Sequence, residues 1–156
     1  MNKKVHASTA GDAWALLLSV QARLTERVEA ELAGAQLPPL AWYDMLWELE
    51  KAEDGRLRMH DLAQRTVLSR SNLTRLADRL EQAGLIAREP SPDDRRGFYC
   101  VLTRAGRDMR RKMWPLYAAQ IEALFAQHLS AREAETMVTA LGRVLRAARD
   151  GAAGSA

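Results

Sequence analysis

Apolar side chains recur at helical spacing along most of the 156-residue chain, and short runs near its middle have the character of β-strands instead. The pattern predicts a first helix over residues 12–33 that ends at Gly34, and a second helix after Pro38-Pro39. No helical pattern precedes Asp12, so residues 1–11 are expected to form a flexible arm.

The middle of the chain begins with two short elements and one longer helix. A strand is predicted at Arg56–Arg58 and a small helix at Met59–Arg65. The longer helix extends from Ser69, whose hydroxyl is suited to cap it, to about Ala83, and Gly84 ends it. Its apolar residues recur at i, i+3, i+4 and i+7, which predicts one buried side and one polar side.

A hairpin is predicted next, followed by a helix that Thr103 caps. The strands are expected at residues 85–88 and 98–102, and the nine residues 89–97 between them are expected to form a long polar loop. Because this loop contains prolines, aspartates and arginines, it would place charged side chains at the tip of the hairpin.

The C-terminal part of the chain is predicted to be helical. Pro115 lies inside the first of two helices, where a kink is expected. Ser130 to Glu133 matches a capping box that starts the second helix, which is predicted to end near Arg149. Residues 150–156 are expected to form a flexible tail.

Positive charge is concentrated in the middle third of the chain. The segment 56–111 contains 13 arginines, no lysine and seven acidic residues, a net charge of +6, whereas the remainder carries −3. A positive field confined to one segment is typical of proteins that bind polyanions, and guanidinium groups suit phosphates and guanine edges. On charge alone, a solvated basic surface is an equally good interpretation.

Composition restricts the other functional classes. A content of 47% apolar and 28% charged residues is typical of a globular domain, and no apolar run approaches the about 20 residues of a membrane span. Cys100 is the single cysteine, so we expect a cytoplasmic protein without a disulfide. No metal-ligand spacing, phosphate loop or nucleophile elbow is found, so no enzyme, metal site or cofactor is predicted.

The predicted order of helix, turn, helix and hairpin supplies the parts needed to bind B-DNA. The polar side of the helix at residues 69–83 fits the major groove, and a thin hairpin tip lets an arginine enter the minor groove. Because one such helix reads only a few base pairs, a two-fold dimer on an inverted repeat is expected. A winged helix used for protein contacts is the alternative. It predicts an apolar recognition face, whereas this face is rich in arginine and serine.

Two runs of sequence carry a family resemblance. The first extends from Asp61 to Ile86 and includes Leu68-Ser69-Arg70-Ser71-Asn72-Leu73-Thr74-Arg75, and the second extends from Asp93 to Gly106 and includes Asp94-Arg95-Arg96-Gly97. Together they closely resemble the multiple antibiotic resistance regulator (MarR) family of bacterial transcription factors, and the resemblance covers residues 12–149.

The resemblance implies a mainly α fold with a small β-hairpin wing. A winged helix-turn-helix lobe (residues 38–102) would be flanked by N- and C-terminal dimerisation helices (residues 12–36 and 103–149). The partners would be a second copy of the chain and double-stranded DNA that carries an inverted-repeat operator, without a membrane. The function implied is a transcriptional regulator, most simply a repressor that occludes the operator.

The resemblance also implies individual DNA contacts. In the recognition helix these are Ser69, Arg70, Ser71, Asn72, Thr74, Arg75 and Arg79. In the wing, Arg95 lies beside Arg96, which would enter the minor groove, and Asp94 would orient an arginine. For Arg79, an ion pair with Asp78 or Glu81 is nearly as good an interpretation.

Many relatives respond to small aromatic acids, so an aromatic acid or phenolic effector is expected to release the DNA. The candidate residues are Trp14, Arg23, Trp42, Tyr43 and His60, with Arg23 as the partner of a carboxylate. Trp47 is another candidate, although its helical spacing also fits a core position. Redox sensing through Cys100 is the rival mechanism, since Arg95 and Arg96 could lower its pKa, although a buried thiol would be inert.

Overall fold

Helices and strands follow one another in the predicted order. The computed structural model describes residues 3–66, 70–91 and 94–153, and among these the side chains of residues 9–66, 71–91 and 97–149. The helices are α1 (Lys3–Gly34), α2 (Leu40–Lys51), α3 (Met59–Arg65), α4 (Arg70–Gln82), α5 (Arg104–Leu124) and α6 (Ala131–Ala153). The strands are β1 (Arg56–Arg58), β2 (Ile86–Ser91) and β3 (Asp94–Leu102). The prediction of a mainly α fold with a small β wing is confirmed.

The chain divides into two compact units, Met1–Leu40 and Ala41–Ala156. The first consists mainly of α1, which begins at Lys3. The predicted arm is therefore wrong from Lys3 onward, as is the helix start at Asp12, and residues 1–2 lie outside the described residues. Between Lys3 and Ala10 the sequence contains neither proline nor glycine, and the helix continues through Gly11 at a cost of about 1 kcal/mol relative to alanine.

The end of α1 lies at Gly34, as predicted, but a different residue turns the chain. Gln36 has φ +56°, and the backbone N–H of Leu37 donates to the carbonyl oxygen of Leu32 at 2.9 Å. This is the hydrogen bond that closes a Schellman ending. A glycine signal therefore marked the right boundary, although a glutamine adopts the left-handed conformation.

The core of the second unit lies among α2, α3, α4 and the sheet. Its buried members are almost all aliphatic and come from each of these elements: Met45, Leu46, Leu49, Leu57, Leu62, Leu73, Leu76, Ala77, Leu80, Leu85, Ile86, Cys100 and Leu102. The apolar side predicted for α4 is thus its core side. Burial of these side chains fixes which face of α4 remains in solvent.

The three strands form an antiparallel sheet in the order β1-β3-β2. Leu57 and Arg88 both lie opposite Cys100, one in each neighbouring strand. The predicted nine-residue loop over residues 89–97 is wrong, because β2 continues to Ser91 and β3 begins at Asp94. Pro90 does not prevent this pairing, since β2 is an edge strand and a proline there need not interrupt the ladder.

The two C-terminal helices start at the predicted caps. Thr103 Oγ1 accepts a hydrogen bond from the backbone N–H of Gly106 at 3.0 Å. Ser130 and Glu133 form the reciprocal capping box, with Ser130 N donating to Glu133 Oε2 at 2.8 Å. The expected end near Arg149 is wrong, since α6 continues to Ala153. Residues 154–156 of the expected tail lie outside the described residues. Pro115 lies inside α5, and the kink there stays a prediction.

Candidate nucleic-acid interface

The outward side of α4 is polar and lies in solvent. Leu73, Ala77 and Leu80 are fully buried beneath it. The exposed side chains on the opposite side are Ser71, Asn72, Thr74, Arg75, Arg79 and Gln82. Ser71, Asn72 and Thr74 also take part in polar or electrostatic contacts of the protein itself. A convex polar surface of this kind has the dimensions of an element that enters the major groove.

Five of the predicted DNA-contacting side chains lie outside the part of the chain that the structure describes in full. Ser69 falls outside the described residues altogether. For Arg70 at the start of α4, and for Asp94, Arg95 and Arg96 in β3, the backbone is described and the side chain is not. The roles predicted for these five residues therefore stay predictions.

Arg88 connects α4 to the sheet, and the sequence analysis missed it. Its Nη1 lies 2.8 Å from Glu81 Oε2, and its Nη2 forms an ion pair with Asp78, so β2 holds two carboxylates of α4. Its guanidinium carbon lies 4.8 Å from the ring centroid of Phe98 on β3. The hydrogen bond that Arg88 donates to Asp78 and the charge of Glu81 raise the pKa of Arg88, against the opposing effect of its burial.

The partners of Arg88 bear on whether Arg79 forms an ion pair with Asp78 or Glu81. Asp78 and Glu81 are the carboxylates to which an intrahelical pair of Arg79 was assigned, and both bind Arg88 instead. Arg79 is exposed, and no ion pair of its side chain is found among the described residues. Its charge is therefore presented to solvent on the same side as Arg75.

Other arginines of the basic segment are partly committed within the protein. Arg56 and Arg58 both approach the ring of Tyr99, at 5.2 Å and 5.3 Å from its centroid, and Arg58 Nε donates to Tyr99 Oη at 3.1 Å. Arg110 on α5 forms an ion pair with Glu50 on α2. Its guanidinium carbon also lies 5.1 Å from the ring centroid of Trp47. Trp47 is 39% exposed, so it does not occupy the core position that its helical spacing also fitted.

Cys100 lies in the core of the sheet and is completely buried. Burial raises the pKa of its thiol to about 11, and the nearby charge of Arg88 only partly opposes this. Its Sγ donates to Met59 Sδ at 3.3 Å. The proposed lowering of its pKa is therefore not found, and the fraction of reactive thiolate at neutral pH is very small.

The residues predicted to bind an effector have dissimilar surroundings. Trp14 in the first unit is 60% exposed, and Arg23 Nη1 lies 3.1 Å from Glu26 Oε2. In the second unit Trp42 packs against the core, and His60 is exposed and hydrogen bonded to Gln64 at 3.0 Å. The structure thus describes the surroundings of each side chain separately, and the prediction that these residues line one pocket stays a prediction.

Tyr43 belongs to an aromatic cluster that the sequence analysis missed. It is 4% exposed, and its ring stacks on Trp114 at 6.0 Å and meets Tyr117 edge-on at 5.0 Å between centroids. Burial, with the nearby charge of Asp44, raises the pKa of Tyr117. The spacing of Trp114 and Tyr117, three residues apart on α5, was the available signal for their shared face.

Two absences apply to the described residues. No helix among them combines the length and hydropathy that a membrane span requires. In the same part of the chain, no three His, Cys, Asp or Glu side chains are grouped so that they could hold a metal ion.

Comparison with known proteins adds independent observations. Residues 35–97 match the model of the MarR family. The chain is 32% identical over 136 residues to the HTH-type transcriptional repressor MdtR of Bacillus subtilis, which covers 80% of this chain and 83% of that protein. The match to YkoM of the same organism, 31% identical, spans only 56% of the relative's length.

Solved structures share the fold over nearly the whole chain. AbsC, a MarR family transcriptional regulator from Streptomyces coelicolor, superposes with a TM-score of 0.80 at 33% identity and covers 91% of this chain and 95% of its own. Sco3205, a MarR family transcriptional regulator from the same organism solved in complex with DNA, superposes with a TM-score of 0.78 at 25% identity. The match covers 92% of this chain and 88% of Sco3205.

Proposed function

The chain belongs to the MarR family of transcriptional regulators, and on that premise we propose that it binds operator DNA as a homodimer and represses transcription by occluding the promoter. The family consists of regulators rather than enzymes. The observation that carries the proposal is the outward side of α4, where Arg75 and Arg79 stand in solvent above a fully apolar inner side.

The outward side of α4 is proposed to lie in the major groove. Its hydroxyl, amide and guanidinium groups have the donors and acceptors that read base edges, and Arg75 is the side chain suited to a bidentate contact with guanine. Arg88 supports this role indirectly, because it holds α4 against the sheet through Asp78 and Glu81. The wing residues 94–96 would then reach the adjacent minor groove, with Arg96 inserted.

Exposed apolar side chains support the homodimer. On α1 they are Trp14, Leu16, Leu17, Leu18 and Val20, and on α6 they are Val138, Leu141, Val144 and Leu145. Apolar side chains concentrated in this way on terminal helices are typical of surfaces that a second chain covers. Two copies related by a two-fold axis would present two recognition helices to the half-sites of an inverted repeat.

Release by a small aromatic acid or phenol is proposed for regulation. Arg23 supports it as an exposed cation, although a ligand carboxylate would have to compete with Glu26 at 3.1 Å. Trp42 and His60, both in the second unit, would supply aromatic surface, whereas Tyr43 is buried against Trp114 and Tyr117. A thermal-shift screen with benzoic and hydroxybenzoic acids tests this directly, because a ligand that binds only the folded state raises the melting temperature. The absence of any shift with the whole panel would contradict the proposal.

DNA binding is tested with a duplex that the protein selects from a random pool. Arg75→Ala is expected to lower both affinity and discrimination between the selected sequence and a scrambled one, by about 1–3 kcal/mol of discrimination. Arg96→Ala is expected to lower affinity with little loss of major-groove discrimination. Arg132→Ala, an exposed arginine at the start of α6, is the control and should leave binding unchanged.

The salt dependence supplies a second criterion. Affinity should fall steeply between about 50 and 200 mM salt, because contacts to phosphates release counterions. An affinity independent of salt, or parent-like binding by both Arg75→Ala and Arg96→Ala, would show that the proposed interface is wrong.

A further inference from the structure

The start of α5 is joined to the end of α4 by hydrogen bonds of one residue, Thr103. Its Oγ1 accepts from the N–H of Gly106 at 3.0 Å and, through its own hydrogen, donates to the carbonyl oxygen of Gly84 at 2.8 Å. Its backbone N–H donates to the carbonyl oxygen of Leu85 at 3.2 Å. Thr103 therefore binds both the helix that follows it and the turn that ends α4.

Gly106 brings α5 into direct contact with the same turn. It is buried in the first turn of α5, and a Cβ added to it would collide with the carbonyl oxygen of Leu85 and lie 2.7 Å from Cδ1 of Leu102. Any side chain at this position would push α5 away from the turn. The close approach is thus possible only because residue 106 is glycine.

The turn itself is fixed to α4. Gly84 has φ +71°, and the N–H of Leu85 donates to the carbonyl oxygen of Leu80 at 2.9 Å. These features form a Schellman ending, which specifies the direction of the chain as it leaves the helix. A continuous set of hydrogen bonds therefore runs from the last turn of α4 through residues 84 and 85 into the first turn of α5.

We infer that Thr103 is a positioning residue that sets the separation of the two recognition helices in the dimer, and so determines which spacing of DNA half-sites is bound. The inference rests on the proposed function, with α4 at the DNA interface and with α5 in the dimer, as the family resemblance implies for residues 103–149. In a two-fold dimer, the contacts that fix α4 relative to α5 also fix the distance between the two copies of α4. That distance must match about one turn of B-DNA, roughly 34 Å.

Three substitutions separate helix capping from this coupling. Thr103→Ser keeps a hydroxyl that both donates and accepts. Thr103→Asp keeps a strong cap for the N–H of Gly106, so α5 can still form, but its carboxylate cannot donate to the carbonyl oxygen of Gly84. Thr103→Val loses both hydrogen bonds of the side chain. Ser130→Ala is the matched control, because it removes the cap of α6, which has no hydrogen bond to α4 among the described residues.

The assay compares spacings rather than sequences. The probes are the inverted-repeat duplex that the full-length parent selects from a random pool and two versions with one base pair added to or removed from the spacer. Fluorescence anisotropy gives the Kd for each probe, and the quantity compared is the Kd on an altered spacing divided by the Kd on the selected spacing. Parent, Thr103→Ser and Ser130→Ala should keep the same ratio. Thr103→Asp and Thr103→Val both lose the hydrogen bond to Gly84. For these two variants the ratio should fall by about three- to tenfold, the range that loss of this one hydrogen bond allows.

The outcomes distinguish the inference from the function on which it rests. A parent-like ratio for Thr103→Asp would mean that the hydroxyl serves only as a cap, and the inference would be overturned while DNA binding stood. An equal loss of affinity on all three spacings would overturn it in the same way. Failure of the parent to select any duplex would refute the proposed function and the inference with it.

Discussion

Replacement of Arg88 by methionine is expected to loosen α4 from the sheet. Methionine keeps an apolar stem of similar length and removes the guanidinium, so the packing beneath it is largely preserved. The change removes two ion pairs, to Asp78 and Glu81, and one cation–π contact, to Phe98.

The magnitude follows from the exposure of the groups. The side chains of Asp78 and Glu81 are 47% and 38% exposed, so solvent screens both pairs and each contributes about 0.2–1 kcal/mol. The contact with Phe98 adds about 0.5–1 kcal/mol. The free energy of unfolding of Arg88→Met should therefore fall by about 2 kcal/mol, which corresponds to roughly 4–8 °C in Tm for a chain of this size.

Urea unfolding at fixed protein concentration measures this loss, and concentration must be fixed because a dimer's stability depends on it. Arg79→Met is the control, since Arg79 lies exposed on the same helix, and its change should stay within about 0.5 kcal/mol. A double-mutant cycle between Arg88→Met and Asp78→Asn should give a coupling of about 0.5 kcal/mol or more. Equal midpoints for Arg88→Met and Arg79→Met, with no coupling to Asp78, would refute the reasoning.

Three further results are expected. Val144→Asp on the apolar side of α6 should convert the dimer to a monomer in light scattering, whereas Thr139→Asp on its polar side should not; a dimer in both would contradict the proposed interface. Cys100, with its pKa raised from 9.0 to about 11, should react with iodoacetamide at pH 8 only when urea unfolds the core, and rapid labelling of the native protein would contradict its burial. Hydrogen bonds from Ser130 lower the pKa of Glu133 below 4.5, so the capping box is intact above pH 4.5 and should be lost as the pH falls through the lowered pKa. Helix content, measured by circular dichroism, should therefore fall in this acid range for the parent. The same fall should be absent in Glu133→Gln.

Features that depend on neighbours in sequence could be predicted. The caps at Thr103 and Ser130 and the stop at Gly34 are local signals, since each concerns hydrogen bonds within one turn of helix. The buried side of α4 followed from its periodicity alone. The start of α1 was placed wrongly because the clear apolar spacing begins only after Asp12, whereas residues 3–10 contain no proline or glycine that would end the helix and Gly11 is tolerated within it.

Features that depend on distant residues could not be predicted in the same way. The length of the wing strands comes from pairing of Glu89 with Tyr99 and of Pro90 with Phe98 across the hairpin, which overrides the turn character of the intervening residues. The contact of Arg88 with Asp78 and Glu81 spans a tight turn whose direction is set by Gly84. The exposure of Arg75 and Arg79, two of the proposed DNA contacts, follows from helix periodicity. Thr103 was predicted as a helix cap, but its hydrogen bond to the carbonyl oxygen of Gly84 joins residues far apart in sequence and was not predicted.

The pairing of β1 with β3 has a consequence for how this part of the chain could diversify. Arg56 and Val101 are partners across the sheet, so the segment that carries α3, α4 and the wing enters and leaves at neighbouring points. A segment with adjacent ends can be replaced without moving the chain on either side of it. The topology therefore resembles an insertion cassette, in which one DNA-reading segment can be exchanged for another that keeps the apolar side chains packed against α2.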